Sequence, residues 1–381
     1  MTADQRDSEI GRARVADDDE LRAYYDELAK LETGALWTVA NDIEPWEPHA
    51  HSEPVLWKFA DLRDHVVRAL DLVTPEQSGR RVVYLRNPRR HDVSAVVGLL
   101  FSGLQVMKPG ERTTAHRHAA SALRFIMEGS GAYTIVDGHR VDLQPRDFVL
   151  TPNGTWHDHG VDEDGELSIW QDGLDIPLAN AREANSYEVH PDLYQSVDFA
   201  PNDSPRLFGG PGLLPATHVW DRPYSPLFRY RWDQTYESLQ LAADTEAATP
   251  HHGVYMRFAN PATGGHVMAT MGAAMQMLRP GEATQSIRHT GNVVYQVTKG
   301  TGSSLIDGQR FDWQEKDIFC VPAWCWYEHR NGSTSDDACL FSFNDFPVME
   351  KLGFWRHEHY PDNDGHQDEP VAAPGDYVVT Q

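Results

Sequence analysis

The chain has 381 residues, of which 40% are hydrophobic, and its 33 basic and 57 acidic residues give a formal charge of −24. This length allows two ordinary domains, and the hydrophobic content supports packed cores rather than disorder. The strong acidity argues against a sequence-independent nucleic-acid binder, because contacts with phosphates need basic clusters. An anionic substrate remains compatible with it, since one buried arginine can reverse the local potential.

No membrane or export segment is predicted. The sequence has no apolar run of about 18 residues, and its first 20 residues lack the apolar stretch of a signal peptide. The three cysteines, Cys320, Cys325 and Cys339, are odd in number and lack the spacing of a zinc site. We therefore predict free thiols and a cytoplasmic protein.

In chain order, apolar residues at helical spacing predict a first helix around Asp17–Leu31 and a second over Phe59–Leu72. Short β-rich runs then dominate the chain, interrupted by a third predicted helix over Asp233–Ala243. From about Tyr360 the sequence is polar with scattered proline and glycine, which is typical of a surface-lying or mobile tail.

Residues 107–159 and 277–329 are similar to each other, with a single one-residue difference in length. The chain is therefore an internal duplication. In each copy an Asp-Gly pair between strand-like runs predicts a tight hairpin. The matched positions are Pro109/Pro280, Gly110/Gly281, Glu111/Glu282, Gly129/Gly300, Gly131/Gly302, Asp137/Asp307, Gly138/Gly308, Asp147/Asp317, Pro152/Pro322, Trp156/Trp326 and His159/His329.

The repeated spacing resembles the cupin superfamily. Its first motif is met by Gly110, His116, His118 and Gly129, and its second by the segment PNGTWH that ends at His157. The resemblance implies a mainly β fold, a bicupin of two double-stranded β-helix barrels with N-terminal and linking helices. We place a helical arm at residues 1–80, the first cupin at 81–185, a linker with a helix at 186–250, the second cupin at 251–352 and a tail at 353–381.

His116 and His118 are two residues apart, so on a strand both imidazoles face the same side. A third histidine, His157, on a neighbouring strand completes a facial triad for a first-row metal. Imidazole suits Fe, Cu, Ni, Mn and Zn, so the ligand type alone does not choose among them.

Most metal-binding cupins supply a glutamate after the second histidine, but here that position is Ala122. Three neutral ligands leave the metal its full charge and an extra open position, which favours a chelating, anionic substrate and O2. Alternation along the strand then turns Arg124 inward, where its guanidinium suits a carboxylate. The alternative for Arg124 is a structural pair with an aspartate across the barrel.

In the second copy the ligand positions are Ile287, His289 and Tyr327, and Tyr295 stands at the position of Arg124. One imidazole with one phenol is a poor site for a divalent metal. We therefore predict that the second barrel has lost its metal and serves packing or assembly.

The whole pattern, including ALRFIMEGSGAYT, LTPNGTWHDHG and WQDGLDIP, resembles the gentisate 1,2-dioxygenase family, with its relatives acting on salicylate and 1-hydroxy-2-naphthoate. The resemblance implies Fe(II), O2 and an aromatic substrate opened between its carboxylate- and hydroxyl-bearing carbons. It also implies that Arg80 and Arg124 bind the carboxylate and that Gln105 and Asp172 line the pocket. His159 matches a histidine that contacts the substrate or bound oxygen and moves a proton; the alternative is a structural hydrogen bond.

Two positions depart from many members of that family. Phe101 stands where tryptophan or tyrosine is common, which gives an apolar wall, and Gly103 leaves room near the ring. Both favour a less hydroxylated or larger ring, such as salicylate or hydroxynaphthoate.

Two other functions stay open at this point. One is another cupin metalloenzyme, such as an oxalate decarboxylase or a flavonol dioxygenase, although these generally use the glutamate that Ala122 replaces. The other is a non-catalytic, ligand-binding bicupin, which would leave the complete histidine triad without a purpose. The family resemblance further implies a homo-oligomer, a tetramer or a hexamer.

Overall fold

The computed structural model of the chain describes residues 18–210, 212–217, 220–245 and 247–368, without the side chains of residues 75 and 76. A division between His49 and Ala50 separates two compact units. Asp18 caps the first helix by accepting a hydrogen bond from the Leu21 N–H at 2.9 Å, within the predicted helical segment. The helices of the first unit are α1 (Asp19–Lys30), a 3-10 turn (Leu36–Thr38) and α2 (Ala40–Ile43).

The second unit is mainly β. Its helices are α3 (Phe59–Leu72), α4 (Pro75–Ser78), α5 (Ile176–Ala181), α6 (Asp203–Phe208), α7 (Trp232–Ala243), α8 (Phe346–Leu352) and a 3-10 turn (Asn363–Gly365). Its first strands are β1 (Val55–Trp57), β2 (Val82–Leu85), β3 (Phe101–Met107), β4 (His116–His118), β5 (Ala122–Glu128), β6 (Ala132–Val136), β7 (His139–Asp142), β8 (Phe148–Thr151), β9 (His157–Val161), β10 (Ser168–Leu174), β11 (Tyr187–Val189) and β12 (Arg229–Tyr230). The remaining strands are β13 (Ala248–Thr249), β14 (Gly253–Arg257), β15 (Gly272–Leu278), β16 (Ile287–His289), β17 (Val293–Lys299), β18 (Thr301–Ile306), β19 (Gln309–Gln314), β20 (Ile318–Val321), β21 (Tyr327–Asn331), β22 (Ala338–Asn344) and β23 (His357–His359).

These strands form two barrels, each made of a large and a small antiparallel sheet. In barrel 1 the strand orders are β12-β8-β5-β10-β3-β2 and β11-β4-β9-β6-β7. In barrel 2 they are β1-β20-β17-β22-β15-β14-β13 and β19-β18-β21-β16-β23. The predicted fold, mainly β with two barrels and helices before and between them, is confirmed.

The two predicted Asp-Gly hairpins are also confirmed. Asp137 and Gly138 join β6 to β7 with φ of 45° and 81°, and Asp307 and Gly308 join β18 to β19 with φ of 46° and 73°. Two successive residues with positive φ define the turn whose twist matches that of the flanking strands, and Asp-Gly tolerates this conformation best.

The large sheets of the two barrels share one hydrophobic core. Phe125 of β5 stacks on Phe341 of β22 with ring centroids 4.2 Å apart, and Phe148 lies 5.3 Å from the same ring. Because side chains alternate along a strand, the residues between these aromatic groups face the barrel interiors. The interior of barrel 2 holds a second hydrophobic core, which includes Ile287 and Tyr327.

Each barrel takes an edge strand and a helix from the segment that precedes the other barrel. Strand β1 pairs with β20, and β12 pairs with β8. The helices that follow these edge strands in sequence, α3 and α7, are each bound at their N-terminus by one of the matched aspartates of the repeat. Asp317 accepts a hydrogen bond from the Phe59 N–H at 2.9 Å, and Asp147 accepts one from the Trp232 N–H at 2.9 Å. A buried carboxylate at a helix N-terminus satisfies a backbone donor that the helix itself leaves unpaired.

The structure bears on the remaining predictions as follows. Helix α3 spans the predicted residues, and α7 begins one residue before its predicted start. All three cysteines are free and buried. No helix in the described part of the chain is long and apolar enough to cross a membrane.

The predicted tail and N-terminus are only partly covered. From residue 353 to 368 the chain is ordered against barrel 2, and Gln367 is buried, donating a hydrogen bond to the Leu305 carbonyl at 3.1 Å. Residues 369–381 lie outside the described residues, and so do residues 1–17, to which the prediction about an export signal applies. The domain boundaries at residues 80, 185, 250 and 352 stay predictions.

The buried cap at Asp317 gives a stability prediction. Asp317→Ala removes the acceptor of the Phe59 N–H and the ion pair with Lys58 at 3.0 Å. We expect the free energy of unfolding to fall by about 2–4 kcal/mol, measured by urea denaturation. The control Asp312→Ala removes a carboxylate that is 71% exposed, and should change stability by about 0.5 kcal/mol or less. An equal loss in both variants would contradict the assignment.

Candidate metal centre

Three histidines meet on the small sheet of barrel 1. His116 and His118 lie on β4 and are buried, and His157 on β9 pairs directly opposite His116. The ring of His157 lies 4.3 Å from that of His116 and 4.8 Å from that of His118, centroid to centroid. Their candidate ligand atoms all lie within 4.8 Å of one another. The predicted triad is brought together.

Backbone carbonyls orient all three rings. Each Nδ1 lies within hydrogen-bonding distance of a carbonyl, which can only accept, so each Nδ1 carries the proton and each Nε2 keeps a lone pair. The three Nε2 atoms are buried and have no hydrogen-bond partner in the described structure. This arrangement fits a metal ion held by three Nε2 atoms. The anchoring pairs are His116–Thr114 (2.9 Å), His118–Ala120 (2.7 Å) and His157–Thr155 (3.0 Å).

Burial keeps these imidazoles neutral. Burial, together with the positive charge of Arg80, lowers the pKa of His116 to about 3 and that of His118 to about 4. The pKa of His157 also lies well below its usual value because of burial. Protons therefore do not compete with a metal near neutral pH.

Arg124 is fully buried beside the triad and paired. Its Nε lies 3.2 Å from Asp172 Oδ1, and its Nη1 donates to Thr151 Oγ1 at 2.5 Å. The register explains the pair, because Arg124 on β5 lies directly opposite Asp172 on β10. Burial lowers the pKa of Arg124 to about 10 and Asp172 opposes this shift, so the guanidinium stays charged at neutral pH. An arginine–aspartate pair is thus present, but it joins neighbouring strands of the large sheet and does not cross the barrel as the sequence alternative supposed.

Arg80 and Arg81 have different surroundings. Arg81 forms a two-pronged ion pair with Glu111, with N–O distances of 2.6 and 2.8 Å. Arg80 is half-buried and has no hydrogen-bond or ion-pair partner within the described ranges. It is near enough to the site for its charge to lower the pKa of Arg124 as well as that of the histidines. Arg80 therefore supplies an unpaired positive charge near the triad.

Gln105 lies on the interior face of β3, opposite Trp170 of β10. Both residues are fully buried, and both amide atoms of Gln105 and the indole Nε1 of Trp170 have no hydrogen-bond partner in the described structure. Buried polar groups are rarely left unpaired, so their clustering here indicates that a ligand or water completes them. The sequence indicated Gln105, whereas Trp170 was missed.

His159 is oriented for a different task. Its Nδ1 lies 2.8 Å from Thr134 Oγ1, whose hydroxyl donates to the Asp158 carbonyl at 3.0 Å. Since the hydroxyl proton is already used, Nδ1 is the donor, and Nε2 carries a lone pair with no partner in the described residues. Burial holds the pKa of His159 well below its usual value. His159 is not among the converging ligands, as the sequence predicted.

One expectation about the pocket wall is wrong. A Cβ at Gly103 would lie 2.7 Å from Val82 Cγ1, so the space beside this glycine is filled by β2 and does not provide room for a larger ring. The ring of Phe101 stacks on that of Tyr84, with centroids 5.8 Å apart. Tyr187 of β11, which no motif indicated, stacks on the His116 ring at 5.3 Å and is 54% exposed.

Barrel 2 has no equivalent centre. His289 uses both ring nitrogens, Nδ1 with the Gly291 carbonyl and Nε2 with the Tyr327 hydroxyl, each at 3.0 Å. Ile287 lies opposite Tyr327. Among the described residues only the triad of barrel 1 forms a convergent set of three possible ligands.

Comparison with known proteins matches the cupin domain twice, at residues 103–176 and 274–343. The chain is 36% identical to gentisate 1,2 dioxygenase 1 of Aquipseudomonas alcaligenes, covering 88% of this chain and 96% of that protein. It is 34% identical to 5-aminosalicylate 1,2-dioxygenase of a Comamonas species, covering 95% of each.

Among solved structures, salicylate 1,2-dioxygenase of Pseudoaminobacter salicylatoxidans, in its adduct with gentisate, matches with a TM-score of 0.84 and 31% identity. The match covers 91% of this chain and 95% of that one. The similarity thus extends through both barrels rather than to the metal motif alone. The chain belongs to the gentisate 1,2-dioxygenase family of ring-cleaving bicupin dioxygenases.

Proposed function

We propose that the chain is an Fe(II)-dependent extradiol-type dioxygenase, which inserts both atoms of O2 between the carboxylate- and hydroxyl-bearing carbons of an aromatic acid. The candidate substrates are gentisate, salicylate and 1-hydroxy-2-naphthoate. The observation that carries the proposal is the set of three buried Nε2 atoms that converge without a hydrogen-bond partner and without a carboxylate in their group, among the residues that the structure describes. Fe(II) held there would bring the chelating hydroxy acid and O2 together on one ion.

The arginines supply recognition of the carboxylate. Asp172 and Thr151 fix the guanidinium of Arg124, while Arg80 adds a second positive charge that has no partner in the described part of the chain. A carboxylate in this buried setting gains charge-assisted hydrogen bonds that water would otherwise weaken. Gln105 and Phe101 complete the polar and apolar parts of the pocket.

His159 takes the proton of the substrate hydroxyl in this proposal. Thr134 holds its proton on Nδ1, so the Nε2 lone pair is the atom available to accept. Because the pKa of His159 is low, its imidazole would hold the proton only briefly and would pass it on readily. Because the proton lies on Nδ1, Nε2 of His159 has no hydrogen to donate to a bound oxygen.

The proposal extends to a cytoplasmic homo-oligomer, a tetramer or hexamer. Free buried thiols suit a reducing compartment. Apolar side chains between residues 187 and 199 are about half exposed, which suits an interface between copies. They are Tyr187, Val189, Leu193, Tyr194, Val197 and Phe199.

The first prediction concerns the metal. His116→Ala should lose iron and oxygen uptake, because one of three Nε2 ligands is gone. His289→Ala should retain both, because that ring is bonded to Tyr327 and Gly291 instead. Iron per chain, measured by mass spectrometry, together with oxygen uptake checks both variants. Loss of half the iron in His289→Ala would contradict a single centre in barrel 1.

The second prediction concerns the substrate. Iron-loaded protein should consume oxygen with at least one of gentisate, salicylate and 1-hydroxy-2-naphthoate, assayed side by side with an oxygen electrode. Benzoate, which lacks the ortho hydroxyl needed for chelation, serves as the negative control. If all three hydroxy acids are inactive while iron is bound, the proposed reaction is wrong.

The third prediction concerns Thr134. Thr134→Val removes the acceptor that fixes the His159 tautomer, so we expect kcat to fall about 10- to 100-fold with the iron content unchanged. Thr134→Ser should restore kcat. The matched control is Ser304→Ala in barrel 2, where Ser304 Oγ lies 2.7 Å from His329 Nδ1. Equal losses in Thr134→Val and Ser304→Ala would show a merely structural effect.

A further inference from the structure

Barrel 2 contains a cavity of about 400 Å³ at the place where barrel 1 has its metal centre. Ile287, His289 and Tyr327, which occupy the former ligand positions, line it. This volume lies within the range of small-molecule sites, roughly 300–1,000 Å³. The loss of the metal has therefore not filled the barrel.

The walls of this cavity are aromatic. Trp355 stacks on the His289 ring with centroids 5.4 Å apart and planes at 22°, and Phe346 meets the same imidazole edge-on at 4.8 Å. Tyr255 and Tyr295 line the cavity from β14 and β17. Such surfaces recognise a flat aromatic ring by stacking and edge-to-face contacts.

The polar groups inside are neutral. Burial raises the pKa of Tyr255 to about 12 and that of Tyr295 well above its usual value, so both hydroxyls stay protonated. Burial also lowers the pKa of His252 to about 4, and its buried Nδ1 has no partner among the described residues. These three side chains thus offer hydroxyls and an imidazole to a ligand without adding charge.

The charge comes from Arg257. It lines the cavity from β14 as a solvent-exposed residue, and the register Arg257–Ala274–Ser342–Tyr295 places it in the same row as Tyr295. Arg257 has no ion pair or hydrogen bond in the described part of the chain. The carboxylate of Glu350, which also lines the cavity, is engaged with His266 Nε2 at 2.9 Å.

We propose that the cavity of barrel 2 binds a small aromatic carboxylate, with its ring between the aromatic walls and its carboxylate on Arg257, and without reacting it. A flat aromatic slot with one unpaired guanidinium selects this chemical class. A metal is disfavoured, because the histidines here do not converge and His289 has no free nitrogen. This site lies in barrel 2 alone and does not depend on the reaction in barrel 1.

The test uses the iron-free full-length protein and 4-bromobenzoate. Isothermal titration should show binding that Arg257→Gln weakens about tenfold or more, since a charged hydrogen bond is lost. The matched control is Arg68→Gln, which removes an exposed arginine of α3 outside the cavity. The neutral analogue 4-bromobenzamide should bind more weakly than the acid. In crystals, anomalous scattering should place bromine in barrel 2.

Absence of binding, equal binding in wild type and Arg257→Gln, or bromine found only in barrel 1 would each overturn the proposal. Arg257→Gln should keep wild-type oxygen uptake when it is loaded with iron, which verifies its fold. Oxygen uptake depends on barrel 1, and the part of bromobenzoate binding that Arg257→Gln weakens depends on barrel 2. A failure of this proposal is therefore distinguishable from a failure of the proposed ring cleavage.

Discussion

The face-to-face packing of the two large sheets is the constraint on which the rest of the structure depends. Phe125 and Phe341 stack at its centre, and their neighbours form one core that belongs to both barrels. Because successive side chains point to opposite faces, burying Phe125 between the barrels turns Arg124 into the interior of barrel 1. A one-residue slip of β5 would exchange the two side chains. The interface between the barrels therefore fixes the register of the pocket.

Comparison of the two barrels separates the features that both share from the candidate metal ligands, which only barrel 1 brings together among the described residues. A hydroxyl bonded to a buried imidazole occurs in both barrels, as Thr134–His159 and Ser304–His329, so this pair does not depend on the metal ligands. The metal ligands differ: an isoleucine and a tyrosine stand where barrel 1 has histidines. In barrel 2 these two residues belong to a hydrophobic core.

Local pattern was enough to predict much of this molecule. Hairpins at Asp137 and Asp307, helix α3 and the shared face of His116 and His118 follow from spacing within short segments, because side-chain direction and turn geometry are local properties. The third histidine, His157, was indicated by the resemblance to the cupin motif. Contacts between distant segments could not be predicted from spacing. These include the pairing of β1 with β20, the Val82 side chain that fills the space at Gly103, and the Tyr187 ring on His116. Each depends on how strands far apart in sequence come together.

The charges close to the pocket, and not the net charge of the chain, decide which ligands the pocket attracts. The chain carries a formal charge of −24, yet the surroundings of the triad include the cations Arg80 and Arg124, with the carboxylate of Asp172 paired to Arg124. Burial raises the pKa of Asp172, whereas the charge of Arg124 opposes this shift. The charged form of the Asp172 carboxylate is therefore favoured by its ion pair with Arg124. Surface acids are screened within about 8–10 Å at physiological salt, but buried charges interact through a medium of low dielectric constant. An anion entering barrel 1 therefore meets a net positive site within an acidic protein.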